Sequence, residues 1–187
     1  MDAAVALEQL IRARRGDREA FASLIHAHRG QAFALARAAL QHEGTALELL
    51  ETSALEIWAR RATWDGSFAE IWTRAIAEGI FARIRAVGDR WSESAGPLQQ
   101  SRWHEREAER PIDPELRAAI RAAIARLPPT PRALLLLKDD AALSDAAIAQ
   151  ASHLEVDAVR RGVHAARCAL TRAIDQHFAS AGSAGAY

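Results

Sequence analysis

Apolar residues recur three and four positions apart along most of the chain, the spacing that places them on one face of an α-helix. Before residue 90 this spacing predicts four helices, and Asp17 is expected to cap the second of them after a break at Gly16. No segment alternates apolar and polar residues as a half-buried strand does, so we expect an all-α fold. The positions expected to face inward are Leu7, Leu10 and Ile11, then Phe21, Leu24, Ile25 and His28, then Leu47, Leu50, Ala54, Ile57 and Trp58, and finally Phe68, Ile71, Trp72, Ile76, Ile80 and Ile84.

A second group of helices is predicted in the last third of the chain. Asp113-Pro114-Glu115 has the order of a helix start, with a cap residue, a proline in the first turn and an acid near the positive end of the helix dipole. Pro128-Pro129 ends this helix, Thr130-Pro131 starts the next, and Ser144 is expected to cap a third. The predicted buried positions are Leu116, Ile120, Ile124, Leu127 and the leucine run 134–137.

Between the two groups, Trp91 to Asp113 is polar and charged and lacks clean periodicity, which is typical of a linker. The sequence therefore predicts two small helical domains joined by this linker. Their expected bounds are 1–92 for the first domain, 93–111 for the linker, 112–178 for the second domain and 179–187 for a disordered tail.

The segment from Leu143 to Ile174 has the form of a helix-turn-helix, so the second domain is expected to be a helix-turn-helix domain. A short helix precedes a tight turn at Ser152-His153-Leu154, and a longer, arginine-rich helix follows. The second helix of such a motif can lie in the major groove of DNA. The segment therefore indicates a candidate DNA-binding element.

The formal net charge is zero, with 24 basic and 24 acidic residues in 187. A protein that binds DNA alone usually carries a basic excess, because phosphate contacts dominate its affinity. Either binding depends on a partner, or the basic charge is local. In the last helix the basic Arg160, Arg161, Arg167 and Arg172 outnumber the acidic Glu155 and Asp157.

Composition and motifs argue against several other classes of protein. No apolar run approaches the length a bilayer requires, so no membrane partner is expected. The single cysteine, Cys168, cannot form an internal disulfide, which fits the reducing cytoplasm. We find no nucleophile with a base, no phosphate-binding glycine loop and no metal-ligand spacing, since His26 and His28 would point to different helix faces. An enzyme, a cofactor and a metal site are therefore not expected.

The order of these elements resembles the extracytoplasmic-function (ECF) sigma factors of bacterial RNA polymerase. Segment 124–170 carries the most specific likeness, with L-P-x-x-x-R-x-x-L-L-L, then L-S-x-x-x-I-A, then V-x-x-x-V-H-x-A-R. The other similar segments are 14–36 (the opening helix pair), 47–61 (the polymerase-clamp helix) and 66–85 (the helix that reads and opens the promoter −10 element). The resemblance implies a non-enzymatic, cytoplasmic protein whose partners are core RNA polymerase and promoter DNA.

For the −35 element, the resemblance implies contacts from Arg160, Arg161, His164 and Arg167. Arginine can pair with guanine or contact phosphate. The alternative is a solvated basic face with internal ion pairs. The chain also departs from the family here, because the turn has His153 in place of the usual glycine, and Gly162 replaces a basic residue.

For the −10 element, the resemblance implies contacts from Trp64, Arg74, Glu78 and Arg83. An aromatic side chain such as Trp64 can stack on an unpaired base. The alternative is that Trp64 folds back on the core, while Arg74 and Glu78, one turn apart, only support each other.

For polymerase docking, the resemblance implies Glu48, Leu49, Glu51, Thr52 and Glu56. The family pattern D-L-x-Q-E keeps its first acid at Glu48 but has Thr52 in place of the second. A Ser/Thr kinase acting on Thr52, or on the adjacent Ser53, would add about −1.5 to −2 charges and restore the pattern. The alternatives are an ordinary substitution at Thr52 and an ordinary solvated acidic face.

The sequence thus predicts an ECF-type sigma factor that directs promoter recognition and opening in transcription initiation. One alternative is a sigma-like regulator that stays inactive until it is modified. Another is a helical interaction protein that binds an anti-sigma factor.

Overall fold

The computed structural model describes residues 3–88 and 114–184, and all regular elements in these two segments are helical. This confirms the predicted all-α class. The predicted linker at 93–111 lies outside the described residues. The helices are α1 (Ala3–Arg14), α2 (Arg18–Leu40), α3 (Glu43–Ala59), α4 (Phe68–Ala86), α5 (Pro114–Arg126), α6 (Pro129–Asp139), α7 (Asp145–Ser152) and α8 (Val156–Ala184), with a 3-10 turn at Arg61–Thr63.

Side chains cap α2 and α7 where the sequence predicted their starts, whereas α6 begins at Pro129 without a side-chain cap, and the predicted cap Asp113 lies outside the described residues. The Asp17 carboxylate accepts hydrogen bonds from the backbone N–H groups of Glu19 and Ala20 at the start of α2. The hydrogen bond from Ala20, followed by one from Arg12, lowers the pKa of Asp17. At α7, the Ser144 hydroxyl accepts from Ala147 N–H at 3.1 Å. Each cap satisfies a donor that the first helical turn leaves unpaired.

The core of the N-terminal half, residues 3–88, is built around α4. The predicted stripe of α4 is confirmed at Phe68, Trp72, Ile76, Ile80 and Ile84, which are all buried, whereas Ile71 is half-buried. The stripe of α1 is narrower than predicted, since Leu10 is buried but Leu7 and Ile11 are exposed.

The inward face of α3 is rotated from the predicted one. The buried residues are Ala46, Leu49, Ser53 and Ile57, while Leu47 is 48% exposed. The reason lies on α4, where Gly79 has no side chain and the Leu49 side chain occupies the space that a Cβ would take. The close approach of α3 and α4 at Gly79 therefore sets which leucines of α3 are buried.

The C-terminal half, residues 114–184, is centred on α6, whose side chains are buried from Thr130 to Leu137. Leu134 to Leu137 were predicted to be buried, and this is confirmed. Helix α8 continues to Ala184, past the position where the sequence predicted the tail to begin.

One apolar core runs through both halves. Helix α6 packs against α2 and α4, and α7 packs against α4. Arg132 of α6 is 7% exposed, and its Nε donates to Ala39 O at the end of α2 at 2.8 Å. Its Nη1 donates to the carbonyls of Ala125, in the last turn of α5, and of Leu127, which follows that helix. The sequence predicted a helical domain on each side of the linker but not this contact between them.

Candidate nucleic-acid interface and docking surface

The helix-turn-helix is formed by α7, a turn at His153 and α8. His153 has φ 58°, in the left-handed region, and its backbone N–H donates to Ala149 O. Leu154 N–H also donates to Ala149 O, and the Ser152 hydroxyl donates to Ile148 O at 2.7 Å. The turn thus has the backbone shape that glycine adopts most easily, held here around a histidine.

Helix α8 presents the predicted reading residues away from the core. Val159, Val163 and Ala166 are buried against the rest of the C-terminal half. Arg160 and Arg161 are exposed. His164 is half-buried, and its Nε2 lies 3.6 Å from the Cys168 sulfur one turn later. The outward face is therefore basic and accessible, as a DNA-reading helix requires.

Carboxylates hold two of these guanidinium groups. Arg160 Nε lies 3.1 Å from Asp145 Oδ2, and its Nη1 lies 3.1 Å from Asp157 Oδ1. Arg167 makes a two-nitrogen contact with the carboxylate of Asp139. The side chains of Arg160 and Arg167 remain 62% and 38% exposed. Internal ion pairs, the alternative left open by the sequence, are therefore present on a face that solvent still reaches.

The ion pairs shift the proton affinities of their members. Hydrogen bonds from Lys138 and then from Arg160 hold the pKa of Asp145 below its usual value, with Lys138 Nζ 2.6 Å from Asp145 Oδ1. The hydrogen bond to Asp145 raises the pKa of Arg160, and the hydrogen bond to Asp139 raises that of Arg167. Both arginines and Asp145 are therefore charged at neutral pH.

Helix α3 presents an acidic face to solvent. Glu48, Glu51, Thr52 and Glu56 are all exposed. The Thr52 hydroxyl donates to the Glu48 carbonyl at 2.7 Å. The exposed Leu47 and Leu55 (48% and 72%) lie on the same helix. The described face thus combines negative charge with apolar surface.

Two neighbouring residues predicted for this face belong to the core. Leu49 is 1% exposed and packs over Gly79, so it cannot contact a docking partner in this structure. Ser53 is 2% exposed, so a kinase could not reach its hydroxyl. Both corrections follow from the rotation of α3 described above.

The predicted −10 residues of α4 lie beside the helix-turn-helix. Arg74 is exposed and Glu78 is half-buried, and both line a cleft of about 260 Å³ together with Gln150 of α7. Arg83 is half-buried, and its guanidinium lies 3.4 Å from Gly79 O. Farther along α4, Arg85 donates to Ser152 O at 3.2 Å. The two candidate DNA-reading regions are therefore adjacent.

Trp64 lines the same cleft but is buried in the core. It is 5% exposed, its Nε1–H donates to Ile57 O at 2.8 Å, and its ring contacts Phe21 and Phe68. Stacking on a base would require Trp64 to leave this cluster. The structure thus has the arrangement in which Trp64 folds back on the core, one of the two that the sequence allowed.

A larger cleft, of about 830 Å³, lies between the halves and was not predicted from the sequence. Its lining includes His28 and Trp72 from the N-terminal half and Arg121 and Leu136 from the C-terminal half. Burial lowers the pKa of His28. The Trp72 Nε1–H is buried without a hydrogen-bond partner among the described residues. Because the cleft forms from residues distant in the chain, no local pattern could have revealed it.

Further observations concern the described segments as a whole. None of the helices in residues 3–88 and 114–184 is long and apolar enough to cross a membrane. The same segments hold no group of three or more His, Cys, Asp or Glu residues arranged to bind a metal ion.

The described residues form an all-helical architecture, and their C-terminal half carries a helix-turn-helix. No model of a protein family matches the sequence, and no curated protein matches it either. Among solved structures, the chain is similar to that of CnrH in complex with the cytosolic domain of CnrY, with a TM-score of 0.59 and 18% sequence identity. The similarity covers 92% of this chain and 98% of the matched chain. At this identity it shows a shared fold.

Proposed function

We propose that this protein is an ECF-type sigma factor, which binds core RNA polymerase and directs promoter recognition and opening. The observation that carries the proposal is the fold likeness over 92% of the chain to the structure of CnrH, an ECF sigma factor. The likeness extends over both halves, and the proposal gives each half a role at the promoter. The four sequence segments that resemble the family support it independently.

Polymerase docking is assigned to the exposed face of α3. The charges of Glu48, Glu51 and Glu56 would speed and orient association with a basic polymerase surface. The exposed Leu47 and Leu55 would add apolar area that is buried on docking. The protein performs no bond chemistry; it supplies sequence specificity to polymerase.

Promoter contact is assigned to α8 and α4. Arg160, Arg161, His164 and Arg167 would face the major groove at the −35 element, where arginine reads guanine or holds phosphate. Arg74, Glu78 and Arg83 of α4 would meet the −10 region. Because the net charge is zero, we expect useful DNA affinity only when polymerase is attached.

Charge reversal on α3 tests the docking surface. The double variant Glu48→Arg/Glu51→Arg should bind core RNA polymerase at least about tenfold more weakly, since both charges would then repel a basic partner. Fluorescence anisotropy with labelled protein measures the affinity, and in vitro transcription measures its consequence. The control Glu8→Arg/Glu19→Arg changes the net charge equally at exposed sites on α1 and α2. If Glu48→Arg/Glu51→Arg bound core polymerase no more weakly than the control, the docking proposal would be wrong.

A kinase-controlled form of the same function is a second candidate, because Thr52 is exposed at the position where the family pattern has an acid. Phosphorylation there would add about −1.5 to −2 charges to the acidic face. We expect Thr52→Glu to bind core polymerase several-fold more tightly than Thr52→Ala, measured by the same anisotropy assay. Ser53→Ala serves as the control, since that side chain is buried and takes no part in docking. Equal affinities of Thr52→Glu and Thr52→Ala would eliminate phosphorylation as the switch.

An anti-sigma factor is a further proposed partner. CnrH was solved with the cytosolic domain of CnrY, its anti-sigma factor, so a chain of the same fold is a candidate for the same kind of regulation. A helical protein that binds an anti-sigma factor without acting at promoters remains the alternative. Core-polymerase binding distinguishes the two.

A further inference from the structure

We propose that Asp139 and Asp145 restrain DNA binding by the free protein, because they occupy the guanidinium groups of α8 that would otherwise contact phosphate. This inference rests on the proposed role of α8 as the DNA-reading helix. It assigns a function to two carboxylates that lie outside α8, at the end of α6 and the start of α7.

The geometry places each carboxylate where a phosphate oxygen would bind. Asp139 contacts Arg167 through both side-chain oxygens, the two-point arrangement that arginine also forms with phosphate. Asp145 receives Arg160 Nε at 3.1 Å and Lys138 Nζ at 2.6 Å, so it holds two cations at once. Three cations near the helix-turn-helix are therefore paired with two acids from neighbouring helices, and Arg160 also contacts Asp157 of its own helix.

The pairs are breakable, which makes them a restraint and not a permanent block. Arg160 and Arg167 are partly exposed, and solvent and salt weaken ion pairs at exposed sites. DNA presents about one phosphate charge per 1.7 Å of helix axis, so it can compete when it is held close. A polymerase partner would hold promoter DNA near α8 and so raise its effective concentration.

The restraint would chiefly reduce non-specific DNA binding by the free chain. A chain that engages phosphate anywhere would be distributed over the many competing sites of a genome. A free chain whose arginines are already paired with carboxylates would bind fewer of these competing sites. The neutral net charge, unusual for a DNA-binding protein, agrees with such a restraint.

The test measures the affinity of the full-length chain for a random-sequence DNA duplex at low salt, about 50 mM. It also measures the slope of the logarithm of affinity against the logarithm of salt concentration. Asp139→Asn/Asp145→Asn should bind about tenfold more tightly than wild type, with a steeper slope, since each freed cation can displace a counterion. The control Asp140→Asn/Glu155→Gln changes the net charge equally in the same half, at exposed carboxylates that engage neither arginine. Thermal unfolding followed by circular dichroism verifies that each variant is folded, and Asp139→Asn alone provides a milder second variant.

Variants of the arginines separate failure of this inference from failure of the proposed function. If the double aspartate variant gains affinity beyond the control, and Arg160→Ala/Arg167→Ala added to it abolishes the gain, the inference holds. If the double aspartate variant gains no more affinity than the control, the restraint is absent. If Arg160→Ala/Arg167→Ala in the wild-type background then weakens binding, α8 still contacts DNA. If neither pair of substitutions changes binding, the restraint is overturned, and α8 contributes nothing to DNA binding by the free chain.

Discussion

Replacing Arg132 by alanine is expected to lower the free energy of unfolding by about 3 kcal/mol, among the largest effects of a single substitution. Its guanidinium donates to Ala39 O at the end of α2 and to Ala125 O and Leu127 O at and just after the end of α5. Carbonyls at helix ends lack partners within the helix and carry the negative end of the dipole, so a buried cation satisfies and stabilises them. Alanine would leave them without this donor.

Urea denaturation followed by circular dichroism measures this effect. The free energy of unfolding of Arg132→Lys should lie between those of wild type and Arg132→Ala. An ammonium group keeps the charge but cannot reach both helix ends as the guanidinium does. Arg85→Ala is the matched control, since exposed Arg85 also joins the two halves, through one bond to Ser152 O at 3.2 Å. We expect Arg85→Ala to lower the free energy of unfolding by less than about 1 kcal/mol. A loss under 1 kcal/mol for Arg132→Ala would contradict the role assigned to Arg132.

Gly79→Ala is expected to destabilise the protein by about 1 to 3 kcal/mol, although alanine favours a helix over glycine by about 1 kcal/mol. The added Cβ would overlap the Leu49 side chain, which is 1% exposed and has no solvent to move into. Helices α3 and α4 would have to separate or repack. Because α3 carries the proposed docking face, we also expect weaker binding to core polymerase.

Two further variants make this prediction specific. Gly30→Ala lies on the exposed surface of α2, where an added Cβ meets nothing within 4 Å, so it should be neutral or stabilising by up to about 1 kcal/mol. Leu49→Ala removes the atoms that would clash with the added Cβ. It should therefore lower the free energy of unfolding by less in the Gly79→Ala background than in wild type. A double-mutant cycle measured by urea denaturation detects this coupling. Additive effects of the two substitutions would mean that the close approach does not govern stability.

Arg132 also bears on how the proposed function would be carried out. The labels −10 and −35 imply that the two elements lie about 25 base pairs apart, or about 85 Å at about 3.4 Å per base pair. Helix α4, assigned to the first element, packs directly against α7 of the helix-turn-helix. On the proposed function, the halves would therefore separate when both elements are read, and the Arg132–Ala39 hydrogen bond would break.

Local sequence patterns were sufficient for features that depend on neighbours in the chain. Periodicity predicted the buried stripe of α4, and cap residues predicted the starts of α2 and α7 at Asp17 and Ser144. The helix-turn-helix was predicted from its turn, although His153 stands at the left-handed position. These features are decided within about one or two helical turns, so the adjacent residues carry the information.

The surfaces could be predicted only in part. The exposed acids of α3 and the outward arginines of α8 lie where the pattern placed them. Leu49, Ser53 and Trp64 were predicted at functional positions and are buried. Helix α3 carries leucines on two adjacent faces, and either face could be buried. Which face is buried depends on the shape of the helix that packs against it. For α3 that choice depends on Gly79, which lies thirty residues after Leu49 in the chain.

The sequence by itself therefore determined the helices, the caps at Asp17 and Ser144, the helix-turn-helix and the balance of charge, because each depends on residue type and short-range spacing. Only the tertiary structure decided the register of α3, the burial of Trp64, the shared core joined by Arg132 and the pairing of Arg160 and Arg167 with Asp145 and Asp139. These depend on contacts between residues far apart in the chain. Such contacts form only when helices pack, and no local pattern specifies which side chains will meet.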